Sequence, residues 1–234
     1  MLRVGPGQKL KADLHIHTAE DPCDNIKHTA IELIDRASQQ NFDVLAITNH
    51  QAITFTKKLE SYAARKGILL IPGTEIMVDS AHALVINPRF KITKERYRLD
   101  EMPGLKDDKS LWIAPHPFFF LSKSLRSRIY PWLPCFDALE FSSYYSNVIN
   151  PNQKALRIAS LSRKPVIGNS DAHALWQFGK TYSLIDSEKD TASVIEAIKT
   201  GKVEIRSSPY SLAQIGWLFM KSITFDRIWH TLKL

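Results

Sequence analysis

Apolar residues recur along the chain in two rhythms. Leu10, Ala12, Leu14 and Ile16 alternate with polar residues, the period of a half-buried strand. Ile26, Ala30, Leu33, Ile34 and Ala37 follow at helical spacing, with Glu32, Asp35 and Arg36 facing away. Phe42–Ile47 is a short apolar run of buried-strand type, and a second helix is predicted around 53–66, stopped by Gly67. Further strands are predicted at 68–72, 83–86, 111–114, 136–141 and 165–168, with a helix over about 151–163 before the last of them. Residues 181–185 and 203–205 read as strands around a helix at about 190–200. Residues 88–109 carry mixed charge, few apolar positions and a Pro103-Gly104 turn signal, which predicts a loop or mobile flap. Strands alternating with helices argue for parallel βα units in one closed or nearly closed sheet.

The tail from Ser208-Pro209 begins like a capped helix. It continues with Leu212, Ile215, Leu218, Phe219, Phe225, Ile228, Trp229 and Leu232. A helical segment packed on the barrel is the expectation, with a dimer or membrane-surface contact as the alternative.

Polar residues at the ends of these runs change the picture. His15 and His17 lie two apart on one strand, so both imidazoles project from the same side. His50, Glu75 and His82, His116, then Asp171 and His173 each sit at or just beyond an apolar strand run. Of the eight histidines only His28, on a polar helix face, and His230, in the tail, lie elsewhere. In a barrel of βα units the C-terminal strand ends converge on one face, so these residues meet in one pocket. Histidines and carboxylates gathered there are metal ligands by type.

Composition adds bounds. The 234 residues suit one large domain, and 44% hydrophobic with 24% charged residues is ordinary for a globular chain with a sizeable core. The formal charge of +7 favours anionic partners such as phosphates or nucleic acid. Cys23 and Cys135 are too few for a disulfide framework, so a reducing compartment is expected. With no apolar run of signal-peptide type and none long enough to span a bilayer, a cytoplasmic protein is expected.

Five motifs in order carry a resemblance: Asp13-Leu14-His15-Ile16-His17-Thr18, Ile47-Thr48-Asn49-His50, Pro72-Gly73-Thr74-Glu75-Ile76, Ala114-Pro115-His116-Pro117 and Gly168-Asn169-Ser170-Asp171-Ala172-His173. From about residue 10 to 206 the set resembles the PHP domain (polymerase and histidinol phosphatase). The resemblance implies a distorted (β/α)7 TIM-like barrel, a single α/β domain over 1–206, with 207–234 as a C-terminal helical extension. It also implies a di- or trinuclear centre of two or three Zn, Mn or Fe ions that cleaves phosphoesters. Carried over by position, one metal is held by His15, His17, Glu75 and Asp171. A second shares Glu75 with His82 and His116, and a third uses His50, His173 and an acidic residue after Thr18. That last ligand is open among Asp21, Cys23 and Asp24, with Asp24 favoured. Asn49 stands where the family usually has aspartate and can still orient His50.

Glu75, Asp171 and His173 are the expected catalytic residues, with a hydroxide between two metals as nucleophile. His173 or Asp24 is expected to pass a proton to the leaving oxygen. Arg206, at the end of the last strand, is a candidate phosphate clamp. The expected substrate is a small phosphomonoester or nucleotide. The alternatives are an exonuclease acting on nucleic-acid ends and a non-catalytic metal-binding module.

Overall fold

A computed structural model describes residues 9–120, 123–218 and 220. Its strands are β1 (Leu10–Ile16), β2 (Val44–Ile47), β3 (Leu69–Val78), β4 (Ala81–Ile86), β5 (Leu111–Ala114), β6 (Ala138–Ser142), β7 (Val166–Asn169), β8 (Thr181–Ile185) and β9 (Val203–Ser207). The helices between them are α1 (Ala30–Gln39), α2 (Lys57–Arg65), the single turns α3 (Met102–Leu105) and α4 (Ile129–Trp132), α5 (Asn152–Ser162) and α6 (Thr191–Lys199). The sheet runs in the order β7-β6-β5-β4-β3-β2-β1-β8-β9.

Closure occurs where β7 returns to β1. The Asp171 N–H donates to the His15 carbonyl at 2.9 Å and the His17 N–H to the Ala172 carbonyl at 3.1 Å. Below them side chains replace the ladder. Asn169 Oδ1 accepts from the Leu14 N–H at 3.0 Å, and Asp13 Oδ1 from the Ser170 N–H at 3.1 Å. The barrel is nearly closed, and the expected mixed α/β architecture is present. Strict βα alternation is not. The β3–β4 hairpin joins antiparallel strands, β4 pairs antiparallel with β5, and β8 and β9 are antiparallel additions beyond β1.

The alternation in β1 also has a different meaning from a half-buried strand, because Asp13 and His15 are as inaccessible as Leu14 and Ile16. Leu10, Ala12 and Leu14 share the barrel interior with Val44, Ala46, Ile71, Ile113 and Ile167, plugged from below by Val194 and Ile198 of α6. A register shift lies between Asp13 and Ile16, as a bulge produces. Beyond it Ile16 packs outward with Leu33 and Ile34 of α1, while His15 and His17 turn to the mouth. One irregularity thus exchanges an apolar interior for a polar one.

α1 starts later than the periodicity predicts, at Ala30, because Thr29 and Glu32 form a reciprocal cap with bonds of 3.2 and 2.8 Å. His28 therefore lies before the helix and is buried, not on a polar helix face. Residues 88–109 are likewise not a free flap. Tyr97 exchanges backbone hydrogen bonds with Met77 and Asp79, and Tyr97, Leu99 and Met102 are buried against β3–β5. Among the described residues no helix is long and apolar enough to cross a membrane. In the tail, Tyr210 is buried and a capped helix begins at residue 212. Phe219, Phe225, Ile228, Trp229, His230 and Leu232 lie outside the described residues.

Candidate metal centre

The expected ligands arrive from separate elements. β1 supplies His15 and His17; His50 follows β2; Glu75 lies within β3 and His82 within β4; His116 follows β5; Asp171 and His173 follow β7. Glu75 and His82 are therefore hairpin residues, not strand-end residues. Three junctions at the mouth hold non-glycine residues in the left-handed region: Gln51 at φ 52°, His116 at 30° and Asp171 at 50°. Such backbone is costly and persists where surrounding contacts over-determine it.

Glu75 is the hub. Its Oε1 lies 3.5 Å from His15 Nε2, 2.8 Å from His82 Nδ1 and 3.4 Å from His116 Nε2. Its Oε2 lies 3.3 Å from His17 Nε2 and 3.1 Å from His50 Nε2. Asp171 Oδ1 is the second hub, 3.2 Å from His15 Nε2, 3.4 Å from His17 Nε2 and 3.5 Å from His173 Nδ1. Three donor sets result, each with its atoms within 4.8 Å of one another: His15–Glu75–His116, His15–His17–Asp171 and His17–His50–Glu75. His50 thus shares a set with His17 and Glu75, while the pair placed with it by position, His173 and Asp24, lies farther out. There His173 Nε2 is 3.1 Å from Asp24 Oδ2, with side chains 29% and 23% exposed.

The rear nitrogens of five histidines are held from behind. His15 Nδ1 is 2.9 Å from Glu140 Oε1, His17 Nδ1 3.0 Å and His50 Nδ1 2.9 Å from Asp21 Oδ2, and His116 Nδ1 3.2 Å from Ser124 Oγ. His173 Nδ1 is 3.0 Å from the Asp171 carbonyl. A proton on each Nδ1 satisfies these acceptors, and for His15, His17 and His50 it turns the Nε2 lone pair towards the centre, where a metal can take it. The forward atoms are unspent: His15 Nε2, His17 Nε2 and His82 Nε2 are buried without a hydrogen-bond partner. Buried polar atoms rarely go unpaired. A donor set of imidazoles and carboxylates, enclosed and uncommitted, fits divalent cations such as Zn, Mn or Fe.

Protonation follows the same geometry. Burial alone would lower the His15 pKa, but Asp171, Glu140 and Glu75 raise it well above its ordinary value. Burial also opposes protonation of His17, and Asp171, Asp21 and Glu75 again prevail. For His50, burial and the His17 charge are outweighed by Asp21 and Glu75, giving about 9. His82 goes the other way, down to about 4, because burial and the charges of His50 and His116 outweigh Glu75. Burial would raise Glu75 and Asp171, yet the surrounding histidines hold both below the usual carboxylate range. Asp24, where burial is outweighed chiefly by His173, sits at about 2.

The loop after β1 divides the two candidate aspartates. Asp21 has no oxygen to spare: besides the two histidines it accepts from the His50 N–H at 2.8 Å and, through Oδ1, from Cys23 and Asp24 at 2.8 and 3.1 Å. Asp24 keeps its carboxylate at the mouth. Asn49 accepts from the Thr18 N–H at 2.9 Å and donates to Thr18 and Thr54, so it braces the loop and not the His50 ring. Arg206 is not brought to the cluster. It is exposed, with its guanidinium 2.6 Å from Glu204 Oε1 on β9. Sequence reasoning missed Glu140, although a carboxylate inside the apolar run Ala138–Phe141 was the available signal.

Comparison with known proteins adds the family context. Residues 150–203 match the model of the PHP-associated family. An uncharacterized protein of Methanocaldococcus jannaschii is 29% identical over 133 residues, covering 52% of this chain and 75% of that protein. A Bacteroides vulgatus crystal structure, described as a two-domain protein containing a predicted PHP-like metal-dependent phosphoesterase, superposes with a TM-score of 0.65 at 17% identity. The match covers 86% of this chain and 65% of that one. Endonuclease Q, solved with a 27-mer duplex bearing an abasic lesion at the active site, superposes at 0.57 with 17% identity, covering 81% and 55%.

Proposed function

We propose that this chain, which carries the barrel fold of PHP-like metal-dependent phosphoesterases, hydrolyses a phosphate ester at the centre described above. One observation carries the reading: buried imidazoles converge on Glu75 and Asp171 while Glu140, Asp21, Ser124 and the Asp171 carbonyl hold their rear nitrogens. In this reading His15, His17 and Asp171 hold one ion and His82 and His116 a second, with Glu75 shared and His50 completing its far side. Divalent ions held there would lower the pKa of water and neutralise charge on phosphoryl oxygens.

The chain supplies the rest. Asp21 and Glu140 fix which imidazole nitrogen faces forward. Burial excludes bulk water and strengthens every charge interaction inside. In this reading His173 and Asp24, the least buried pair of the cluster with His173 Nε2 3.1 Å from Asp24 Oδ2, relay a proton to the leaving oxygen. Cleavage of nucleic-acid esters is the second reading, favoured by the formal charge of +7.

The test is metal content of the purified protein, followed by turnover of 4-nitrophenyl phosphate, its bis ester and labelled oligonucleotides. Two ions per chain favour His173 and Asp24 as the proton pair, and three favour them as ligands. Glu75→Gln should abolish turnover and lower metal content. A metal-free, inert protein, or a Glu75→Gln variant with parental activity and metal, overturns the proposal.

A further inference from the structure

An aromatic wall rises from the His173 side of the centre. Phe119 contacts Tyr144 at 5.7 Å between centroids, Tyr144 contacts Tyr210 at 6.4 Å, and Tyr210 contacts Trp176 at 5.7 Å. Trp217, on the helix that begins at residue 212, closes the run 6.0 Å from Trp176. Its inner half is packed core, since Tyr210 is 2% exposed. Its outer half meets solvent in part: Trp176 is 43% and Trp217 53% exposed.

Single exposed apolar residues need no explanation. This wall differs in how it is held. Trp176 lies three residues after His173, a span of at most about 10 Å even for an extended chain. The intervening turn is fixed: the His173 N–H donates to Gln177 Oε1 at 2.9 Å, the Gln177 N–H donates to the Ala174 carbonyl at 2.9 Å, and Gln177 is buried. Tyr144 backs the same turn by donating its hydroxyl to the Asp171 carbonyl at 2.8 Å. Both ring contacts of Trp176 are T-shaped, at 68° and 61°, and no ring is stacked parallel on it among the described residues. A cation belongs to the same wall, with Lys180 Nζ 5.6 Å from the Tyr210 ring centroid.

An exposed indole held three residues beyond His173 by a hydrogen-bonded turn, with Lys180 on the same wall, matches one ligand chemistry: a planar base joined through a sugar to a phosphate. We propose that Trp176, supported by Trp217, is a stacking platform for a nucleobase of the substrate. This rests on the phosphoesterase reading and narrows it to a nucleotide ester. The base comes from a free nucleotide or from the end of a nucleic-acid strand, and both present the same face to the indole.

The experiment separates this platform from the reaction. Intrinsic tryptophan fluorescence of the full chain is titrated with adenosine 5′-monophosphate and with ribose 5-phosphate, in parent, Trp176→Ala and Trp176→Phe. The base should improve affinity by about tenfold to hundredfold in the parent, an advantage lost in Trp176→Ala and largely restored in Trp176→Phe. In kinetics, Trp176→Ala should raise KM for nucleotide esters by a similar factor and leave turnover of glycerol 2-phosphate unchanged. Tighter binding of an oligonucleotide than of the mononucleotide assigns the base to a strand end, and equal binding assigns it to a free nucleotide. Equal affinity for the two 5′-phosphates in the parent overturns the platform. So does a change of oligomeric state in Trp176→Ala, which would make the wall a contact between copies. An inert protein that still binds the base by stacking sinks the phosphoesterase reading while sparing the platform.

Discussion

Glu140 is the most informative single residue to perturb, because three donors converge on its buried carboxylate. His15 Nδ1 and Asn169 Nδ2 reach Oε1 at 2.9 Å each, and the His116 N–H reaches Oε2 at 2.8 Å. Glu140→Gln preserves volume but offers only one oxygen, so its NH2 must face at least one of these donors. Asn169 cannot relieve the clash by rotating, since its own Oδ1 accepts the Leu14 N–H across the barrel seam. A buried donor left unpaired costs about 1–3 kcal/mol, and the metal-free variant should lose that much stability. The metal effect is separate. With the acceptor behind Nδ1 gone, the His15 proton is free to move to Nε2, where a ligand needs a lone pair. Affinity should fall about tenfold to hundredfold, or about 1.4–2.8 kcal/mol.

The assay is urea denaturation with and without metal, paired with a chelator-competition titration. Stability should drop in both forms, with the larger drop when metal is present. If metal affinity stays within about twofold while stability falls, Glu140 is only a structural anchor and the orientation argument fails. If neither changes, the three-donor geometry itself is wrong.

Three further outcomes are expected. Asp21→Asn, whose single oxygen cannot serve both the His17 and His50 side and the Cys23 and Asp24 N–H groups, should weaken metal binding about tenfold, whereas Asp24→Asn should spare the buried ions and lower turnover; inductively coupled plasma mass spectrometry and steady-state kinetics separate the two. Gly168→Ala should cost about 1–3 kcal/mol in thermal or urea unfolding, because its Cβ would lie 2.6 Å from Ile205 Cγ2 and 3.3 Å from the Tyr182 carbonyl oxygen; an unchanged midpoint would contradict the packing of β9 on β7. His50 titrates at about 9 in the metal-free fold against 6.5 unfolded, so its stabilising contribution is complete below pH 6.5 and lost as pH rises through about 9. Over that window the thermal midpoint of chelator-treated protein should fall while metal affinity rises, as protons cease to compete; a rising metal-free midpoint would contradict the assignment.

Much of this molecule is legible along the chain. Most of the barrel strands, β2, β4 and β5 among them, announce themselves as apolar runs, because residues enclosed on both faces must be apolar wherever no chemistry needs them otherwise. The departures from that rule mark the centre: the histidines and carboxylates at run ends are those the fold gathers. Helix starts were less legible, since the Thr29–Glu32 cap and not the apolar period decides where α1 begins.

What tertiary structure alone decided is direction and distance. Periodicity does not distinguish parallel from antiparallel neighbours, so the β3–β4 hairpin and the β8–β9 addition are absent from the pattern. The bulge in β1 is invisible for the same reason: the apolar alternation continues through it while the face it points to changes. Asp21 and Asp24 stand three residues apart in one acidic loop, and only folding spends every oxygen of one on histidine and backbone while leaving the other at the mouth. Arg206 has the right chemistry for a phosphate, but its strand face directs it to Glu204. Residue type states what a side chain can do; hydrogen bonds made across the barrel state which of those things it is free to do.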